Sequence, residues 1–330
     1  MDIFVSGATG FIGSRLALRL AENGHTVHAL YRDDRKKGVI NHPGIIPFKG
    51  DILNPESLKK AMDGCSQAFH TAAFARVWDR DVASIYRQNI QGTMNVVNSG
   101  LQAGVERFVC TSTAGVLGPS VPGSFVDETT PLRDNYFTDY EASKAIMETT
   151  IRTLVQTGAD IVTVNPSRVY GPGILSDSNG VTRMIRQYRM GKWRIIPGDG
   201  SSIGNYVYID DVVTGYILAM EKGKRGERYI LGGENLSYND FFRILSELTG
   251  NQYFMFHMPL GLMEMIAGVL LGGAKLAGTS PPITPALIRK YHHNWNVDNG
   301  YAVRELGYCP VDFRTGAGLT LEWLAQNGNV

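Results

Sequence analysis

Residues 3–13 read Ile3-Phe4-Val5-Ser6-Gly7-Ala8-Thr9-Gly10-Phe11-Ile12-Gly13. A short apolar run leads into glycines spaced three apart, and a periodic apolar segment then runs to Asn23 and stops at Gly24. The pattern predicts a buried strand, a tight turn and a helix over Phe11 to Asn23. Glycine lets such a turn reach unusual dihedrals and brings backbone N–H groups close to an anion. The helix N-terminus that follows adds favourable dipole charge for a pyrophosphate. In a chain with 38 glycines the triplet alone decides little; its place at the end of the first strand is what predicts a dinucleotide cradle.

Outward from this turn, the first half alternates in type. A strand is expected at Thr26 to Tyr31, a helix at Pro55 to Met62 capped by Asn54, and a strand at Ala68 to His70. A helix from Ile90 to Ala103 closes at Gly104, and Arg107 to Thr111 reads as a strand. A long helix spans Tyr140 to Thr157, and a strand follows at Ile161 to Asn165. Strands separated by helices predict an α/β fold with a doubly wound parallel sheet. The second half differs: Gly171 to Asn205 reads as loop-rich, Tyr206 to Ile209 as a strand and Val212 to Glu221 as a helix. Tyr229 to Leu231 and several helices follow, with Pro281, Pro282 and Pro285 marking a connector. The expected division is a dinucleotide-binding domain of 1–165 plus 206–222, the latter returning to the main sheet, and a smaller, mainly helical substrate-binding cap of 166–205 plus 223–330.

Composition sets bounds. The 330 residues are 43% hydrophobic and 19% charged, with a formal net charge of +1, so the chain is globular and carries no field that draws in nucleic acid. Cys65, Cys110 and Cys309 form neither a disulfide framework nor a zinc pattern, and a reducing, cytoplasmic setting is expected. Met1 leads almost directly into the first strand, without the basic opening of a signal peptide. The most apolar stretch, Phe254 to Ala277, is interrupted by Pro259, Glu264 and Lys275, so no transmembrane segment is expected. His257, His292 and His293 lack metal-ligand spacing, and no metal site is expected.

The chemistry-bearing residues lie where strands end. The second strand ends at Tyr31-Arg32, with Arg35, Lys36 and Lys37 beyond and Asp33 and Asp34 alongside. An acidic residue there would accept the ribose hydroxyls of NAD(H); a guanidinium pairs with a 2′-phosphate, so NADP(H) is the expected preference, with NAD(H) the alternative. Tyr140-Glu141-Ala142-Ser143-Lys144 puts a phenol and an ammonium four apart, on one helix face. A nearby ammonium lowers the cost of a phenolate, which suits proton transfer near neutral pH. The strand ending Thr111-Ser112-Thr113-Ala114 offers hydroxyls at the sheet edge where ligands sit, and any of the three could bond a substrate carbonyl.

Together these stretches resemble the extended short-chain dehydrogenase/reductase family over nearly the whole chain. The resemblance also takes in Gly50-Asp51-Ile52, His70-Thr71-Ala72-Ala73, Asn89-Ile90-Gln91-Gly92-Thr93 and Tyr206-Val207-Tyr208-Ile209-Asp210-Asp211-Val212. It implies a Rossmann sheet in which Gly7, Thr9, Gly10, Phe11, Ile12 and Gly13 hold the pyrophosphate and Arg32, Asp51 and Ile52 the adenine end. Ala72, Ala73 and Pro166 would line the cofactor. Thr113 would occupy the catalytic hydroxyl slot, with Ser112 as the substitute; Tyr140 and Lys144 would carry proton transfer, and Asn89 would order the site. A homodimer through the helices near 90–103 and 140–157 is also implied.

Three branches of the family differ in chemistry. Sugar-nucleotide dehydratases place an Asp-Glu pair after the catalytic threonine, where this chain has Ala114-Gly115. Sugar-nucleotide epimerases carry an arginine just before the Tyr-Val-Tyr-Ile-Asp-Asp stretch, where this chain has Gly204-Asn205; Arg168 or Arg183 could replace it. The third branch, the carbonyl reductases similar to dihydroflavonol 4-reductase, 3β-hydroxysteroid dehydrogenases and 3-oxoacyl-chain reductases, fits the basic strand end and an apolar cap rich in Phe, Met and Leu between 254 and 271. Arg76 and Trp78, after the Ala72-Ala73 turn, could reach a substrate. The expectation is an oxidoreductase moving hydride between NAD(P)(H) and a ketone, aldehyde or secondary alcohol. The alternatives are an epimerase of nucleotide sugars and a dinucleotide-binding protein without turnover.

Overall fold

The computed structural model describes residues 1–75, 78–175 and 179–327. The first half builds β1 (Asp2–Ser6), α1 (Phe11–Glu22), β2 (Thr26–Tyr31), β3 (Ile45–Lys49), α2 (Pro55–Met62) and β4 (Gln67–His70). It continues with α3 (Val82–Tyr86), α4 (Gly92–Ala103), β5 (Arg107–Thr111), α5 (Asp139–Gln156) and β6 (Ile161–Pro166). The second half holds β7 (Arg168–Tyr170), α6 (Gly180–Arg189), β8 (Ile195–Pro197), β9 (Ile203–Tyr208), α7 (Ile209–Lys222), β10 (Arg228–Leu231) and β11 (Glu234–Ser237). α8 (Tyr238–Thr249), β12 (Phe256–Met258), α9 (Leu260–Ala277), α10 (Pro285–Tyr291), α11 (Gly300–Leu306) and α12 (Phe313–Gln326) complete it.

Among the described residues the main sheet has seven strands in the order β3-β2-β1-β4-β5-β6-β10, every pair parallel. The strands are apolar on both faces because helices cover both. Ile3 and Val5 point into one core with Leu16, Leu20, Val212 and Tyr216, while Phe4 between them points into the other with Met62, Val96, Phe108 and Met147. Each fully buried side chain of this size contributes roughly 2 kcal/mol of burial. The cap has its own core, in which Tyr170, Tyr188, Tyr206, Phe241 and Phe313 meet.

Four differences from the sequence reading have physical causes. β3 was not expected: it is an edge strand, its solvent side exposed, and Pro47 within it resembles loop sequence. The helix expected from Ile90 begins earlier, as α3 runs through a π-helical turn at Arg87–Gln91 into α4. The segment 171–205, expected to be loop, contains α6, whose buried stripe is only Thr182, Ile185 and Tyr188 amid arginines. The stretch 206–222 returns to the main sheet through its helix α7 alone; β9 instead pairs with β7 and β11 in a separate three-stranded sheet. The strand that does join the main sheet is β10, placed by the expected boundaries in the cap.

α9 runs unbroken through Glu264 and Lys275, and by length and composition alone it is apolar enough to cross a membrane. Both ends are fastened to the protein: Glu264 pairs with Arg289 on α10, and Arg80 donates to the Lys275 carbonyl.

Candidate active site

The glycine turn has the shape its residues demand. Gly7 sits at φ +69°, and a Cβ there would lie 2.6 Å from the Ala72 amide nitrogen. A Cβ on Gly13 would meet the Gly7 carbonyl oxygen at 2.2 Å. The turn therefore closes tightly, with the Gly10 N–H donating to Gly7 O at 2.8 Å. α1 starts at once, with no side chain capping it and no acidic residue in its first turn. Its N-terminal N–H groups are left for an anion, which is the fit a dinucleotide pyrophosphate requires.

A polar relay fastens the turn from behind. The buried ring of His70 is 2.7 Å from Ser6 Oγ through Nδ1 and 2.9 Å from Thr93 Oγ1 through Nε2. Thr93 gives its own proton to the Asn89 carbonyl, so its oxygen accepts from Nε2–H and Nδ1 accepts from Ser6. Burial pulls His70 down to about 3, which keeps the ring neutral as this relay needs. Sequence reasoning had noticed His70 only as part of a motif.

A cavity of about 580 Å³ runs from the glycine turn across the sheet edge into the cap. Its walls include Gly7, Thr9, Gly10, Phe11, Ile12, Gly13, Arg32, Asp51, Ile52, Ala72, Ala73, Ser112, Thr113, Tyr140, Pro166 and Arg168. Sequence-predicted residues scattered over 160 positions thus share one space. Asn89 and Lys144 stand behind its wall. Asn89 Oδ1 accepts from the Phe74 N–H at 2.8 Å and its Nδ2 donates to Ser143 Oγ at 2.9 Å, tying the strand-end loop to α5. Arg76 lies outside the described residues, and Trp78 is not among the described wall residues.

α5 begins at Thr138, whose hydroxyl accepts from the Glu141 N–H, and so puts Tyr140 in the first turn, facing the cavity. The Tyr140 phenol is raised above its ordinary value, by burial first and then by the charge of Glu141. The sequence reading had expected the ammonium four residues on to lower it; in this structure burial and Glu141 set the direction, and it is upward. Lys144 is fully buried, its Nζ donating to the Thr111 carbonyl at 2.8 Å, and burial pulls it down to about 8. Thr113 Oγ1 accepts from the Gly115 N–H at 3.2 Å, which leaves the hydroxyl proton available for a ligand oxygen. Ser112, beside it, is 2% exposed and its Oγ has no hydrogen-bond partner among the described residues.

The adenine end is basic but partly neutralised. Asp33 is engaged by Arg35 at 2.8 Å, and that hydrogen bond holds its carboxyl down at about 2. Arg32 is largely exposed and reaches Asp51 only at 3.4 Å; Lys36 also lines the cavity.

The cap supplies further walls, of which sequence reasoning had singled out only Met263, within the apolar stretch between 254 and 271. Val181, Met184, Trp193, Met263, Ile283 and Leu287 make an apolar far side. Lys290 on α10 pairs with the buried Glu141 next to Tyr140, linking cap to catalytic helix. In the Tyr-Val-Tyr-Ile-Asp-Asp stretch Tyr206 lines the cavity, while the carboxylates join elements: Asp210 takes both Arg15 Nε at 2.6 Å and a second guanidinium nitrogen at 2.9 Å, joining α7 to α1, and Asp211 accepts from the Val311 N–H. Burial raises Asp211 to about 6, with Asp210 adding to it. His257, His292 and His293 are exposed, and among the described residues no cluster of three or more His, Cys, Asp or Glu forms.

Residues 3–232 match the family model of the NAD dependent epimerase/dehydratase family, and the chain belongs to that family. It is an NAD(P)-dependent oxidoreductase of the extended short-chain dehydrogenase/reductase type. A Synechocystis protein named "Putative dihydroflavonol 4-reductase" is 32% identical over 99% of this chain and 95% of its own length. The sterol demethylase protein B of Methylococcus capsulatus is 31% identical over the full length of both. Among solved structures, gox2253 is 31% identical with a TM-score of 0.85, covering 100% of this chain and 99% of its own. The UDP-glucose 4-epimerase of Thermotoga maritima, solved with UDP-glucose, is 25% identical with a TM-score of 0.81, covering 99% of each chain.

Proposed function

We propose that the protein is a carbonyl reductase, working reversibly between NADP(H) and a ketone or aldehyde, or its alcohol, with an apolar body. The observation that carries this reading is one cavity with the glycine turn at one end, Tyr140 and Thr113 in the middle and an apolar cap wall beyond. When bound, the nicotinamide supplies a hydride to the carbonyl carbon in reduction or accepts one in oxidation. The Thr113 hydroxyl donates to the carbonyl oxygen and holds it beside Tyr140. The Tyr140 phenol gives that oxygen its proton as the alcohol forms, and takes it back in the reverse direction. Lys144 acts from behind, its positive charge easing the phenolate that remains.

Epimerase chemistry is less well served. Asn205 is committed to Gly233, whose N–H and carbonyl it meets at 2.9 and 3.0 Å, and to Asn235, so it offers a substrate diphosphate nothing. The reductase reading is tested by NADPH consumption with apolar ketones and aldehydes.

The NADP(H) preference rests on Arg32 and Lys36, since Asp33 is already paired with Arg35. Arg32→Ser is expected to lower kcat/KM for NADPH by about 10- to 100-fold, the range of one lost charge-assisted contact, and to leave NADH within a few-fold. Steady-state kinetics with both dinucleotides check it. A wild-type enzyme that favours NADH, or a variant that loses both equally, contradicts the assignment.

A further inference from the structure

We infer that Arg168 is the seat of a substrate carboxylate held close to the reacting carbonyl. The inference rests on the reductase reading and narrows it to oxo acids, or the matching hydroxy acids, with an apolar chain.

Arg168 follows shortly after the end of β6 and lines the main cavity. It also lines a smaller recess of about 70 Å³ together with Thr113, the hydroxyl placed to bond the reacting oxygen. Arg168 and Thr113 thus border one recess, which puts an anion held by Arg168 on the same side of the site as the reacting oxygen. Among the described residues no carboxylate pairs with this guanidinium. Its neighbours are aromatic: it lies 5.5 Å from the Tyr206 ring centre, 6.0 Å from Tyr238 and 5.7 Å from Tyr291. The Tyr206 and Tyr238 hydroxyls accept from its Nη1 at 3.3 and 3.2 Å. Ring faces and phenol oxygens steer a guanidinium and stabilise it partly, yet they leave its full charge uncompensated, and arginine cannot shed that charge. The backbone makes room for it: a Cβ on Gly204 would stand 2.5 Å from Nη1.

Charge matching favours a monoanion. Among the described residues that line the cavity beside Arg168, the other cation, Lys290, is already neutralised by Glu141. One unmatched guanidinium with two parallel donors suits a carboxylate; a diphosphate brings more charge than this wall answers. The apolar wall of Met263, Ile283 and Leu287 then takes the chain that extends from the acid.

The test is run on the full-length protein with NADP+, comparing oxidation of 3-hydroxyoctanoate and its methyl ester. The wild type is expected to favour the acid by about 10- to 100-fold in kcat/KM, the range of a charge-assisted hydrogen bond. Arg168→Met is expected to erase that preference by raising KM for the acid while leaving the ester within a few-fold. Arg168→Lys, which keeps the charge without the fork, is expected to fall between. Equal use of acid and ester by the wild type, or an equal loss of both in Arg168→Met, overturns the proposal, the latter marking a structural arginine. If neither compound is oxidised, calorimetry of octanoate against octanol on the NADP+-bound protein decides the subsite, while NADPH consumption over the carbonyl panel decides the reductase reading separately. Octanoate binding that falls at least about tenfold in Arg168→Met, with octanol unchanged, supports it. Octanoate binding that is absent or indifferent to the substitution overturns it, as does UDP-glucose binding that Arg168→Met abolishes more strongly than octanoate binding.

Discussion

Tyr140→Phe is expected to lower kcat for carbonyl reduction by about 100- to 10,000-fold, the range a positioned general acid contributes. The phenol faces the cavity and makes no hydrogen bond within the protein among the described residues, so removing it deletes a proton donor and disturbs little else. Dinucleotide affinity is therefore expected to stay within a few-fold of wild type, because the glycine turn and α1 supply the pyrophosphate contacts. Melting temperature is expected to hold or rise slightly. Turnover and NADPH titration measured on the same preparation check all of this; a nearly fully active Tyr140→Phe removes the catalytic assignment.

Lys144→Met is expected to inactivate the enzyme and yet stabilise the protein free of dinucleotide. The ammonium is fully buried, and among the described residues its hydrogen-bond partners are the Thr111 carbonyl at 2.8 Å and the Met147 sulfur at 3.4 Å, with the charge of Glu148 offsetting part of the burial. Burial lowers its pKa from 10.5 to about 8. The folded form therefore binds the proton less tightly than the unfolded chain, and the buried charge is a destabilising term fully present below pH 8. That term fades as pH rises from about 8 to about 10.5, so wild-type stability gains from this group across that window. A shift of this size corresponds to roughly 3 kcal/mol, from which the lost hydrogen bond to Thr111 subtracts, leaving about 2 kcal/mol in favour of the methionine at neutral pH. Denaturant melts of both proteins at pH 7 and pH 10.5 read it directly. A destabilised variant at pH 7, or a gain that does not shrink toward pH 10.5, contradicts this account of Lys144. A positively charged group kept at such a cost is consistent with a catalytic duty, since it eases the phenolate of Tyr140.

The parts of this architecture that were legible in the sequence are those governed by local rules. The turn after β1 announces itself because only glycine fits at Gly7 and Gly13. α2 was bounded correctly at both ends because Asn54 caps it and Pro55 opens it. Tyr140 and Lys144 could be paired from spacing alone, although their direction could not: one lines the cavity and the other lies behind it. Asn89 was seen as an ordering residue, while its partners, Phe74 and Ser143, belong to other elements.

What the sequence hid is set by packing between distant segments. The aromatic surround of Arg168 comes from β9, the start of α8 and the end of α10, brought together by the cap core. Lys290 meets Glu141 across 149 residues. β3 carries a proline and an exposed face, and α6 has a narrow apolar stripe, so neither shows the periodicity of a buried element. The paired carboxylates Asp210 and Asp211 appear in the sequence only as part of a family stretch; in the fold they tie α7 to α1 and to the Val311 backbone.

The central claim is net hydride transfer to a carbonyl inside this cavity. The most direct measurement follows the reduced-nicotinamide absorbance of NADPH with purified protein against apolar ketones and aldehydes, and in parallel against UDP- and dTDP-sugars with product analysis. The account predicts NADPH oxidation matched mole for mole by alcohol from the carbonyl panel, and no epimers from the sugar nucleotides. Epimer formation without net NADPH consumption, or NADPH binding with no turnover of either panel, would contradict it.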